Sequence, residues 1–313
     1  MSELAAFALL GDVLVRATPL ILAGLAVAVA FQGGVLNIGA EGQLLIGACT
    51  STAVSLKLGS SLGPVAIVVA LIIGMLAGAL WAAIAAELTN RFHVLEVIST
   101  IMLNFVALYL ISFLVRGPLQ EPTKIYPQTS TIAPSAQLPV ILEGTRLHIG
   151  FILAIAAGLL AWWGVRNTAA GFRLRLTGAN PRAARIAGMI NVERTTRNVF
   201  LISGALAGLA GAIEVHGVTF ALYENISPGY GYTAIAVALL AGLNPAWVIA
   251  SGILFGALEA GASALQRDAG VPSTLVWVVE AAVILIVLGT ESYRSRRSRR
   301  FVAPELAPAQ GAS

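Results

Sequence analysis

The stretch Leu62–Glu87, LGPVAIVVALIIGMLAGALWAAIAAE, carries no charge before its last residue. A helix crossing the hydrocarbon core of a bilayer needs about 20 mostly apolar residues, and this run supplies them without interruption. Its Gly74 and Gly78 stand four residues apart, a spacing repeated by Gly204 and Gly208 and by Gly252 and Gly256. Small residues at that interval let helix backbones approach closely in lipid, where no hydrophobic force pulls helices together. The whole chain agrees with this stretch. Of 313 residues, 58% are hydrophobic and 11% charged, with a mean hydropathy of +0.86, whereas soluble domains carry about 25% charged residues. So few charges cannot cover a globular surface of this size, which excludes ordinary soluble enzymes. The net charge of +4 does not mark a nucleic-acid binder, because most arginines fall in two short segments between or after apolar runs. The composition predicts an all-α, polytopic membrane bundle.

Working outward, the sequence offers about nine candidate spans: 13–31, 36–56, 62–87, 94–115, 148–165, 198–222, 230–243, 245–265 and 272–289. The run 36–56 opens on a polar segment, and 230–243 is short and flanked by glycine, which reads as a re-entrant or half-length helix. Residues 166–197 hold seven arginines against Glu193, and 291–300 hold five more against Glu291. Lys and Arg gather in cytoplasmic loops, so both segments are expected inside the cell membrane and the balanced loop 116–147 outside. That loop holds Pro118, Pro122, Pro127, Pro134 and Pro139, the composition of an irregular cap. Residues 1–290 then form one transmembrane domain, and 291–313 a basic, then disordered, cytoplasmic tail. The same count of crossings puts the N-terminus outside, so either 13–31 inserts in that sense or a further span precedes it. Glu3 and Asp12 ahead of Arg16 do not read as a signal peptide. Cys49 stands alone, so no disulfide framework is expected.

The residues offer transport more than chemistry. His93, His148 and His216 include no pair four residues apart, Asp12 and Asp268 are the sole aspartates, and neither a GxSxG nor a GxxxxGK[ST] motif occurs. No catalytic residue, metal site or cofactor is expected. What remains is a set of polar groups in apolar context: Glu41, Glu96, Glu214, His216, Glu259 and Glu280. Ionisable groups inside a membrane are costly and generally face a cavity or a partner. Glu41 lies with Asn37 and Gln43 among Gly39, Gly42 and Gly47, where a helix is expected to break. Two readings stay open for this group: it satisfies distorted backbone, or it presents polar atoms to a solute. Asn104 adds a polar position in the fourth span, one turn after Ser99 and Thr100. Glu214 and His216, followed by Tyr223, Glu224, Asn225, Tyr230 and Tyr232, form a polar and aromatic rim on the outer side.

The basic loop is the sharpest feature. Asn180 can cap a short helix opening on Pro181, and Gly188 can close it about two turns later. Such a helix has little apolar area to bury by itself and is suited to being gripped by a partner.

The segment Phe31-Gln32-Gly33-Gly34-Val35-Leu36-Asn37-Ile38-Gly39-Ala40-Glu41-Gly42-Gln43 resembles the G(L/V)xNIGAEGQ motif of inner-membrane permeases of bacterial ABC importers. The relevant group holds the ribose-type and branched-chain amino acid permeases, and within it the subfamily paired with basic-membrane-lipoprotein-type nucleoside-binding proteins. Leu95–Asn104, Gly178–Gly188 and Gly229–Gly242 agree with it, in order. The resemblance implies a helical permease of about ten spans in such families, one more than is found here. It implies four kinds of neighbour besides the bilayer: a second, homologous permease, a cytoplasmic ATPase, and an extracytoplasmic solute-binding lipoprotein, with the solute itself a nucleoside. A ribose-type sugar is the alternative solute, and an ion-coupled secondary carrier the alternative mechanism. On this resemblance Asn37, Glu41, Gln43, Asn104, Glu214, His216 and Tyr230 line the solute pathway. Gly178, Asn180, Pro181, Arg182, Ala184, Arg185 and Gly188 form the helix that couples to the ATPase.

Overall fold

The computed structural model describes residues 3–186 and 190–269, together with Val278, Ala281, Ala282, Leu285 and Ile286. Apart from those five positions, the expected span 272–289 lies outside the described residues, as do Glu280, Gly188 and the tail 291–313. The described chain is helical throughout: α1 (Glu3–Gln32), α2 (Ala40–Leu62), α3 (Val65–Phe92), α4 (Glu96–Val115), α5 (Gly150–Asn167), α6 (Ala169–Ala179), α7 (Pro181–Ile186), α8 (Val192–Glu214), α9 (Tyr230–Leu240) and α10 (Pro245–Ala269). A 3-10 turn at Pro134–Ala136 interrupts the long loop, and a wide-turn segment, Val215–Thr219, extends α8.

Among the described residues, six helices are long and apolar enough to cross a membrane: Ala8–Gln32, α3, α4, α5, Val192–Thr219 and Pro245–Arg267. The sequence suggested about nine spans, and two of its runs take other forms. Residues 33–39 are not helical, so 36–56 is no single span; α2 begins only at Ala40 and is too polar to join the six. The run 230–243 becomes α9, which at 11 residues rises about 16 Å, half of a bilayer core. The helix α6, preceding the expected short helix, was not anticipated.

Burial sets α1, α8 and the first half of α2 inside and leaves α3, α4, α5 and α10 more exposed. About four-fifths of the residues in the apolar windows of α1 and α8 are buried (83% and 78%), against 22% for α3, the most apolar helix. In lipid, hydropathy does not draw a helix inward; close packing does. The helix α8 owes its central place to Gly204, Gly208 and Gly211. A Cβ on Gly78 or Gly204 would overlap the other's backbone, and one on Gly47 would overlap Gly208. This seam joins α2, α3 and α8. The pair Gly252 and Gly256 does the same for α10 against Ile21 and against the backbone at Val13 and Ala17 of α1. The four-residue glycine spacing thus marks the helix contacts it was expected to mark.

The helix ends gather at two ends of the bundle. At one, Gln32 Nε2 donates to the Leu243 carbonyl at 2.7 Å, Asn90 Nδ2 to that of Glu193 at 3.2 Å, and Gly34 packs on Gly178. This end carries the arginines of 166–197. At the other, Ser135 Oγ donates to the Gly59 carbonyl at 2.8 Å and the loop 116–149 closes over the bundle. That loop is irregular, as its prolines foretold.

Candidate functional site

The segment between α1 and α2 builds the first half of the site. Gly34, at φ 76°, turns the chain back after Gln32. Residues 35–38 are non-helical and turn tightly, with Asn37 N donating to the Val35 carbonyl at 2.9 Å, and the Glu96 carboxylate accepts from Leu36 N at 2.6 Å. Non-helical backbone inside a membrane persists only where protein groups satisfy it. Asn37 does most of this work and is fully buried. Its Oδ1 accepts from Gly39 N at 2.9 Å and from Gln43 Nε2 at 3.1 Å, while its Nδ2 donates to Gln43 Oε1 at 3.1 Å and Ser203 Oγ at 2.8 Å. Ser203 Oγ passes its own proton to the Ala26 carbonyl at 2.8 Å. Ser203 lies at the middle of α8, so the non-helical segment reaches the middle of that helix.

The amide of Asn104, near the middle of α4, spans the junction from the other side. Its Oδ1 accepts from Gly42 N at 2.8 Å, capping the start of α2, and its Nδ2 donates to the Ile38 carbonyl at 2.9 Å. The backbone reading of Asn37, Gln43 and Asn104 is therefore the one the geometry favours: they use their polar atoms on each other and on the broken chain. Tyr232, 45% exposed, brings its hydroxyl within 3.4 Å of Asn104 Nδ2 and is the accessible fringe of the cluster.

The second half is the start of α9. Ser227 Oγ accepts from Gly229 N and Tyr230 N at 3.2 and 3.1 Å, and the Glu41 carboxylate accepts from Gly231 N at 2.7 Å. A Cβ on Gly231 would overlap the Glu41 backbone, so α2 and α9 begin against each other. Each helix N-terminus carries the equivalent of about half a positive charge, and the Glu41 carboxylate offsets both. Glu41 is an anchor between two half-depth helix starts.

Nearer the far end, Arg16 approaches Glu259 at 3.9 Å, and the charges of Arg16 and Arg146 act on buried Glu214. Tyr230, 7% exposed, faces the same charges from the first position of α9. His216 does not join them. Its Nδ1 donates to the Ala212 carbonyl and its Nε2 accepts from Ser55 Oγ, both at 2.7 Å, so neither nitrogen is left for a solute. Above it the loop pairs with unwound backbone: Thr129 N donates to Leu222 O and Ile132 N to Phe220 O, each at 2.9 Å, and Leu138 N to His216 O at 2.8 Å. Glu224 fastens this cap by accepting from Arg116 Nη2 and Ser112 Oγ, both at 2.6 Å, and the Arg116 contact holds its carboxyl below the ordinary glutamate range.

At the basic end, Asn180 Oδ1 accepts from Arg182 N and Ala183 N at 3.1 and 3.0 Å, the cap expected ahead of Pro181. The six-residue α7 follows, with Ala184 buried and Arg185 paired to Glu193 at 2.7 Å. Gly178 belongs not to this helix but to α6, where a Cβ would overlap the Gln32 carbonyl. Sequence reasoning missed Arg16, Ser203 and Ser227, and nothing local to those residues signals their roles.

Residues 9–288 match the family model described as the permease component of the branched-chain amino acid transport system. The chain is 39% identical to the glucose ABC transporter permease protein TsgB13 of Haloferax volcanii, over 92% of this chain and 78% of that one. It is 39% identical to the guanosine ABC transporter permease protein NupP of Bacillus subtilis, over 91% and 82%. It is 30% identical to a second guanosine permease protein of that organism, NupQ, over 90% and 91%.

Proposed function

The chain belongs to the permease-component family of branched-chain amino acid transport systems, and from that premise we propose that it forms the membrane pathway of an ABC importer for nucleosides. It is a multi-pass membrane protein. One observation carries the nucleoside reading: two guanosine permeases of a single bacterium both match this chain over about nine-tenths of its length (91% and 90%). That pairing also supports a second, homologous permease as partner. Residues 1–290 act as one permease unit, with the basic end and the C-terminus cytoplasmic by the positive-inside rule. A solute-binding lipoprotein delivers the nucleoside to the capped end, and it passes the Arg16–Glu214–Tyr230 neighbourhood and the Glu41–Asn104–Tyr232 junction. A separate ATPase hydrolyses ATP and moves the pathway through α7. Arg182 is the charge offered to that ATPase, because Arg185 is already paired with Glu193. A simple sugar is the second reading, favoured by the equal identity to the glucose permease.

The test is uptake of labelled guanosine, ribose and glucose in cells carrying this chain, its partner permease, the ATPase and the binding lipoprotein. The proposal expects guanosine uptake that excess unlabelled nucleoside blocks and sugars do not. A Walker-lysine substitution in the ATPase should abolish it. Sugar-blocked uptake moves the chain to the second reading, and uptake surviving the dead ATPase makes it a secondary carrier.

A further inference from the structure

We propose that the gap between α5 and α8 is a binding site for an anionic phospholipid of the leaflet at the basic end. The two helices share α1 and α6 as neighbours but otherwise diverge, α5 packing on α10 and α8 on α2 and α3. Between them they leave a cavity of about 540 Å³, floored by α6 and backed by Val29.

Its walls change polarity in one direction. Along α8 the lining runs from Arg194 through Asn198 to Val199 and Ile202. Ile202 is eight residues beyond Arg194 and hence about 12 Å deeper. Along α5 the order is parallel: Thr168 lies at the basic end, with Val165, Gly164 and Ala161 progressively deeper. Arg173 enters from α6 beside Arg194. Among the described residues neither guanidinium has an ion-pair partner.

A polar, doubly cationic mouth at the membrane surface and an apolar throat pointing into the core match a phosphate headgroup and the first part of an acyl chain. Basic pockets between spanning helices on the cytoplasmic side are suited to anionic headgroups. The remaining chain length would lie along Leu160 and Trp163, both more than half exposed on the adjoining face of α5. A soluble anion would need the mouth alone and would leave the throat empty; a lipid uses both.

Gly164 supplies the decisive variant. A Cβ there meets nothing within 4 Å, so Gly164→Leu starts its side chain in the open space of the throat. The purified transporter, with its partner subunits, is stripped of lipid and exposed to equal amounts of phosphatidylglycerol and phosphatidylcholine. Retained lipid is then counted by mass spectrometry. Phosphatidylglycerol should be retained in preference. Arg173→Gln and Arg194→Gln should each lower its affinity roughly fivefold, and Gly164→Leu should abolish the preference. Arg91→Gln, at the same end but paired with Glu87 on α3, should leave it unchanged. Three outcomes overturn the proposal. Equal retention of the two lipids removes the headgroup selectivity. Loss in the arginine variants with none in Gly164→Leu reduces the site to general attraction by a basic surface. Displacement by millimolar inorganic phosphate assigns it to a soluble anion.

Discussion

Removing the Glu41 carboxylate would leave the starts of α2 and α9 facing each other with nothing to offset them. Gly231 N would lose its acceptor in a site that is 7% exposed. A buried donor left unmade costs about 1–3 kcal/mol. Glu41→Ala should therefore destabilise the purified complex by about 2 kcal/mol, and Glu41→Gln, whose amide oxygen can still accept, by about half of that. Thermal melting in detergent reads the difference, and equal melting of both variants and the parent would sink the anchoring role. The residue types at this junction were legible: Asn37, Glu41, Gln43 and Asn104 are polar groups where a membrane helix tolerates few. Their partners were not, because the chief acceptors and donors are backbone atoms. Gly231 is 190 residues from Glu41 in the chain, and nothing in either residue's type announces the other. His216 shows the converse. Its place beside Glu214 suggested a shared rim, yet its two nitrogens are taken by Ser55 and Ala212 and it packs α8 against α2.

Between elements, the glycine seam and the cap behave in opposite ways. The seam is steric. Gly78→Ala pushes a methyl into the Gly204 backbone, and overpacking of this kind costs about 1–3 kcal/mol. Gly164→Ala meets open space, and the gain in helix propensity, up to about 1 kcal/mol, should hold or raise the melting temperature. Membrane abundance and melting of the two variants should therefore move in opposite directions, and a like response would mean that helix spacing is not set at Gly78. The cap is electrostatic and exposed. The carboxyl of Glu224 is held below its ordinary value of 4.5 by Arg116 and Ser112, so the clamp is present at neutral pH. Stability from a lowered carboxyl begins to fall as pH drops below the ordinary value and is gone once pH is below the native one. Protease nicking of 116–149 should rise as pH is lowered through that window, and Glu224→Gln should be nicked readily at neutral pH and lose the dependence. At this scale the apolar runs and paired glycines were readable, since length and spacing are sequence properties. The half-length of α9 was suggested by its flanking glycines. The break ahead of α2 was suggested by the polar, glycine-rich run at 37–43; what could not be read is that Glu96, from a different helix, holds the backbone of that break.

Across the whole molecule, one contact joins the basic end to the mid-depth junction. The last turn of α6 rests on the turn after α1: a Cβ on Gly178 would overlap the Gln32 carbonyl, and Gly34 touches the Gly178 backbone. Five residues beyond Gln32 the non-helical segment delivers Asn37 to Ser203, and nine beyond it Glu41 meets α9. Immediately after Gly178 come Asn180 and α7. On the proposed coupling role, a displacement of α7 by a partner ATPase would reach, through α6, the turn that positions Asn37 and Glu41. Backbone-to-backbone packing is stiff, so small shifts pass along it instead of being absorbed. Gly178→Ala wedges this contact open and should separate the two ends. In a reconstituted complex we expect ATP hydrolysis to continue while solute uptake falls at least tenfold, about 1.4 kcal/mol of lost coupling. Arg182→Glu acts one step earlier and should lower both hydrolysis and uptake, with solute binding by the lipoprotein unaltered. Uptake that stays in step with hydrolysis in Gly178→Ala would mean that α7 moves the pathway by another route. The obvious one is α8, which Arg185 reaches through Glu193, so Arg185→Ala would then become the uncoupling variant.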